Sequence, residues 1–216
     1  MEDEKIFAVQ LGYFVNEINM LYKCIRIKAD LFFINMFIRL LAGKLYEAWQ
    51  MINNANKNEG LSKRLEKILS DETKAIRKKI NKYFGGKNNI KIIRNHLGFH
   101  YDQEIIKKGL TEIKKQALMF FTSEYAENNF YAFSELVIYE ALKKEIVCLE
   151  GKDFLFTFLH ETGEVCDWFS KFAMNCLDEI AKANSIDLES EVINIPEPPT
   201  YKEIKFPFFI QRDEDE

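Results

Sequence analysis

The segment Arg94-Asn95-His96-Leu97-Gly98-Phe99-His100 gathers the side chains best suited to chemistry in this chain of 216 residues. A histidine with an unperturbed pKa of about 6.5 exchanges protons near neutrality, so it serves as general acid or base. An arginine keeps its charge and presents a planar fork of donors that grips phosphate oxygens in pairs, which lysine does less specifically. Asn95 adds a donor and an acceptor beside Arg94. Leading into this segment, Lys74, Arg77, Lys78, Lys79, Lys82, Lys87, Lys91 and Arg94 are eight basic residues with no acidic residue among them. In a chain of formal net charge −4 that local excess reads as a positive surface able to neutralise phosphates and steer a polyanion. Lys78, Lys79, Lys82, Lys87, Lys91 and His96 are its candidate nucleic-acid contacts. The plainer reading of the same run is a solvated helix face that needs no ligand.

Helices must position these residues. Phe7, Leu11, Phe14, Ile18, Leu21 and Ile25 recur at spacings of four and three, which places one apolar stripe on a first helix. Leu31, Ile34, Phe37, Leu41, Leu45, Trp49 and Ile52 repeat the pattern on a second, from about Ala29 to Asn54. The Asn-rich run Asn53 to Gly60 reads as a loop, because Asn competes for backbone hydrogen bonds. Leu61 to Leu69 is a further helix, and Ser70-Asp71-Glu72-Thr73 offers caps for one carrying Ile76, Ile80 and Phe84, closed by Gly85-Gly86. Asn88 or Asn89 caps the next, with Ile90, Ile93 and Leu97 as its buried face. Asp102 to Lys108 forms a short helix ended by Gly109. Others are expected over about Glu112 to Phe121, Phe130 to Leu149 and Asp153 to Ala183, the last open to a break near Gly163. The tail, with Pro196, Pro198, Pro199 and Pro207, cannot be helical throughout and is expected to wrap the surface through Tyr201, Ile204, Phe206, Phe208 and Phe209.

Composition agrees with an all-α fold. The chain is 47% hydrophobic and 30% charged, enough apolar surface to offset the entropy of ordering, and its nine Gly and four Pro are too few to punctuate many short strands. One helical domain over residues 1–190 with an extended tail over 191–216 is the expected organisation. Cys24, Cys148, Cys166 and Cys176 form no Cys-x-x-Cys pair and read as reduced core residues. The beginning Met1-Glu2-Asp3-Glu4-Lys5 lacks the basic and apolar regions of a secretory leader, which favours the cytoplasm. The apolar stretch Ala29 to Trp49 carries Asp30, Asn35, Arg39, Lys44 and Glu47, so a core helix is expected there, with no membrane as partner.

An arginine followed by a polar residue, a short spacer and a histidine, on a late helix of an all-helical domain, resembles the HEPN superfamily, whose abortive-infection and toxin members are ribonucleases. The motif is carried by Arg94, Asn95 and His100, and the resemblance extends over the helices from about Phe7 to Leu149. It implies a HEPN-like bundle and a metal-independent endoribonuclease. His100 would take the 2′-hydroxyl proton, Arg94 would stabilise the phosphorane, and Asn95 would orient His100 or hold the phosphate. The products would end in a 2′,3′-cyclic phosphate and a 5′-hydroxyl. At about 100° per residue the six steps from Arg94 to His100 leave them about 120° apart on a regular helix. The family resolves this by homodimerising, and Gly98 would permit the close approach. No cofactor is implied, and an antitoxin or regulatory partner is. The tyrosine that some toxin members carry two residues beyond the histidine is replaced here by Asp102, which either pairs with His100 or caps the following helix, capping being the favoured role.

His96 and His100 also share the four-residue spacing of two-histidine metal sites, but no third ligand is evident and no metal is expected. His160 reads as a core or boundary residue. No P-loop, dinucleotide turn or nucleophile elbow occurs. The rival to the enzyme is a non-catalytic RNA- or protein-binding regulatory dimer on the same fold, with His100 buried and paired.

Overall fold

The fold is known from a computed structural model that describes residues 2–27, 31–98, 102–113, 120–122, 124, 129–186, 199–200 and 202–204. Among them the chain is all-α: α1 (Glu2–Arg26), α2 (Leu31–Lys57), α3 (Glu59–Ile68), α4 (Asp71–Gly85), α5 (Asn89–Ile93), a π-helical turn (Arg94–Gly98), α6 (Gln103–Glu112), α7 (Ala132–Glu145) and α8 (Phe154–Ala183). The apolar periodicity explains why they form. Phe7, Leu11, Ile18 and Ile25 of α1 and Leu41, Leu45 and Ile52 of α2 are buried, and all eight α-helices contribute to one apolar core. α8 lies against α1 in the opposite direction. Ser170 bonds to Asn19, and the Leu177 side chain lies beside Gly12.

Several boundaries differ from the sequence reading. The Asn-rich segment is helical: α2 continues to Lys57 and only Asn58 interrupts it, capping α3 by accepting from the Leu61 N–H at 3.1 Å. Buried Ile52 and Ala55 extend the apolar face through the run, so packing outweighs local Asn preference. Gly109 does not end its helix. It lies within α6, where any Cβ would run into the Val137 carbonyl oxygen of α7, so its missing side chain lets the two helices touch. α8 likewise passes through Gly163 unbroken, and that glycine makes room for the Tyr22 hydroxyl. Most of the helix expected over about Glu112 to Phe121 lies outside the described residues; α6 ends at Glu112, and Phe121 forms an antiparallel bridge with Phe130. α7 is shorter than the expected Phe130 to Leu149.

Cys166 and Cys176 are buried, and burial pushes each thiol up to about 12. Cys148, expected in the core, is exposed because α7 has already ended and its residue lies in the connection to α8. Among the described residues no helix is long and apolar enough to cross a membrane. The expected wrapping of the tail through Tyr201, Phe206, Phe208 and Phe209 lies outside the described residues, while Thr200 and Glu203 close a turn on each other.

Candidate functional site

The site is built on α5 and the π turn that prolongs it. Gly85 and Gly86 let α4 stop. The Asn88 side chain then acts in both directions, donating back to the Tyr83 and Gly86 carbonyls and accepting from the Lys91 N–H at 2.8 Å to start α5. Ile90 and Ile93 are fully buried and orient the helix. On one side a polar lock holds it. Asn89 donates through Nδ2 to Glu161 at 2.7 Å and to the Val147 carbonyl at 3.1 Å, its Oδ1 accepts from the Val147 N–H at 3.0 Å, and its own N–H reaches Glu161 at 3.2 Å. The Tyr83 hydroxyl donates to the same carboxylate. Burial, and then Glu161, push that hydroxyl far above its ordinary range, so it remains a donor at every working pH.

The far end of the element is different. From Arg94 to Gly98 the turns widen to a π-helix, a geometry frequent at functional sites. The reckoning of about 120° for a regular helix therefore does not hold across the motif. The His96 carbonyl accepts from the Asp102 N–H at 3.2 Å, and the His96 ring meets the Asp102 carboxylate through Nδ1 at 2.8 Å. The second Asp102 oxygen accepts from the Glu104 and Ile105 N–H groups, capping α6 as expected. Accepting from His96 first, and from those backbone groups next, holds the Asp102 carboxyl below its ordinary value.

A groove of about 360 Å³ opens beside this turn, lined by Lys87, Asn88, Lys91, Asn95 and His96 together with the backbone at Gly85-Gly86. The structure thus brings together four of the candidates singled out in the sequence: Lys87, Lys91, Asn95 and His96. Arg94 is adjacent but turned aside. Its guanidinium lies over the Tyr46 ring at 4.6 Å, pairs with Glu47 at 3.3 Å and donates to Asn95 at 3.3 Å, and its buried Nε has no hydrogen-bond partner among the described residues. Asn95 therefore links Arg94 to the groove. His100 lies outside the described residues.

The basic run splits. Arg77 is buried and neutralised by Glu66, and Lys74 lies near Glu66 and Asp71, so neither adds to a free positive surface. Lys78, Lys79 and Lys82 are exposed on α4, away from the groove lining, with the Lys79 ammonium 4.1 Å above the Trp168 ring. None of Lys78, Lys79, Lys82, Lys87 and Lys91 has an ion pair among the described residues.

No family model, curated protein or solved structure matches this chain. The case for a function thus rests on its own residues. Among the described ones no group of three His, Cys, Asp or Glu is placed to hold a metal ion. His160 is exposed, stacked on Phe156 rather than enclosed. Sequence reasoning missed Glu47 and Tyr46, which aim Arg94 from α2, and Glu161, which anchors α5; nothing in their local sequence signals a partner so far away. It did single out Asp102, but pairing it with His96 required the π turn.

Proposed function

We propose that this chain is a cytoplasmic, metal-independent endoribonuclease of HEPN type that works as a homodimer, in phage defence or paired with an antitoxin. The observation that carries the reading is the groove beside the π turn, where two unpaired lysines, an amide and a carboxylate-oriented histidine adjoin an arginine. Lys87 and Lys91 would neutralise successive phosphates, with Lys78, Lys79 and Lys82 extending the positive approach. Arg94, swung from Glu47, would meet the charge that builds on the phosphorane, and its unpartnered Nε gives it a donor to spare. The 2′-hydroxyl would attack phosphorus, His100 would take its proton, and a cyclic phosphate and a 5′-hydroxyl would result. Ile6, Val9, Tyr13 and Met20 form an exposed apolar stripe on α1, and Met36 and Leu40 are exposed on α2, surface a second copy would cover. Glu47 lines the groove between those two helices, so Arg94 stands at that margin.

The Arg94 contacts with Glu47 and Tyr46 favour a second reading, since a purely structural arginine would make the same ones. On that reading the chain is a non-catalytic RNA- or protein-binding dimer. Incubating mixed RNA with the purified protein in excess EDTA separates the two. Cleavage to cyclic-phosphate ends, lost in Arg94→Ala and His100→Ala variants that still fold and dimerise, is expected. Equal activity in all three proteins, or RNA retained without cleavage, rejects the enzyme.

A further inference from the structure

We propose that His96 is the general acid of this cleavage, protonating the 5′-oxygen as it leaves, with Asp102 as the residue that positions its ring; the proposal rests on the endoribonuclease reading. The reaction needs two proton movements. As the 2′-oxygen forms its bond to phosphorus it loses a proton to a base, and as the bond from phosphorus to the 5′-oxygen breaks, that oxygen must gain one. Under the proposed function His100 carries the first, and no other group of the same chain is yet assigned to the second.

His96 is held as a proton donor would be. It is tied to Asp102 at two points, through its carbonyl oxygen at 3.2 Å and its Nδ1 at 2.8 Å. Asp102 is itself fixed by the two N–H groups it caps at the start of α6. A carboxylate on Nδ1 keeps the hydrogen on that nitrogen, so Nε2 becomes the atom that gives and takes a proton. Nε2 has no hydrogen-bond partner among the described residues, and the ring is 39% exposed in the wall of the groove that Lys87 and Lys91 share. A histidine that merely touched RNA phosphate would need no carboxylate behind it. In the step itself the protonated ring gives its Nε2 hydrogen to the 5′-oxygen, which departs as a hydroxyl. The neutral ring then recovers a proton from water while the base returns one, so the enzyme ends as it began.

The test compares two RNA substrates, identical except that one carries sulfur in place of the 5′-oxygen at the cleaved bond. A thiolate leaves without being protonated, so an enzyme deprived of its acid still cleaves that substrate. His96→Ala is expected to slow cleavage of ordinary RNA about 100-fold or more and to stay within a few-fold of wild type on the sulfur substrate. His96→Gln, which keeps a donor for Asp102, should show the same split, and so provides the answer should the alanine variant fold poorly. The alkaline fall in the wild-type rate, where a general acid loses its proton, should vanish in both variants. Equal slowing on both substrates, or no slowing on either, overturns the assignment of His96 while leaving the ribonuclease standing. A wild-type protein that cleaves neither substrate removes the ribonuclease reading, and the general acid with it.

Discussion

The two ends of the short element from Asn89 to Gly98 obey opposite rules. At its start every strong polar group is matched: the Glu161 carboxylate receives the Tyr83 hydroxyl and two Asn89 donors, and the Asn89 oxygen takes the Val147 N–H. At its far end the matching is incomplete. Among the described residues, Arg94 has a buried Nε with no hydrogen-bond partner and His96 has one ring nitrogen engaged. Buried polar groups left unpaired cost stability, so a chain keeps a saturated network to hold its shape and an unsaturated one where a ligand will complete it. Under the proposed function the Glu161 end holds the shape and the His96 end is where RNA would complete the pairing.

The sharpest division should come from Arg94. Arg94→Lys keeps the charge but loses the fork, and RNA cleavage should fall about 100- to 1,000-fold, the usual loss for a donor to transition-state charge, with little change in thermal unfolding. A rate within a few-fold of wild type would place the arginine among the structural residues. Glu161→Leu should do the reverse. Leaving the Tyr83 hydroxyl and the Asn89 backbone N–H unpaired costs about 3 kcal/mol, which lowers the melting temperature by about 6 to 12 °C for a domain of this size. Calorimetry showing an unchanged melting point would mean that the lock bears no load.

A smaller effect separates the lysines from both. With Lys87 and Lys91 replaced by Ala, the slope of log affinity against log salt for single-stranded RNA should flatten by about 1.4, at about 0.7 per phosphate contact. An unchanged slope would move the RNA path off the groove. The smallest concerns acid. A carboxyl depressed in the folded chain, as Asp102 is, stabilises fully above about pH 4, and the contribution is lost as the pH falls through its lower folded value. Asp102→Asn retains a capping side chain but no carboxylate, so its stability should trail wild type at neutral pH and meet it in acid. Curves that run parallel throughout would show that the bond to His96 adds nothing.

Much of the scaffold was legible in the chain itself. The spacing of Phe7, Leu11, Ile18 and Ile25 dictated the buried side of α1, and Ser70, Asn88, Asp102 and Asp153 cap helices because their short oxygens reach backbone N–H groups two or three residues ahead. These are local effects, and local sequence carries them. Glycines were read less well: Gly109 and Gly163 looked like breaks, yet each lies inside a helix where a neighbouring helix needs the room. Local propensity records only the chain's own preference, and these residues answer to a partner elsewhere.

The same limit applies to the site. Its residue types, the basic run and the segment from Arg94 to His100 were written in the sequence, and so was the all-α class. Which of them meet was decided by tertiary structure. Helix α2 turns Arg94 toward Glu47 and Tyr46, α8 clamps α5 through Glu161, and the π turn carries His96 to Asp102. An apolar period fixes which side of a helix is buried, because the repeat is local; the pairing of charges depends on where separate helices come to rest, and only the packed core determines that.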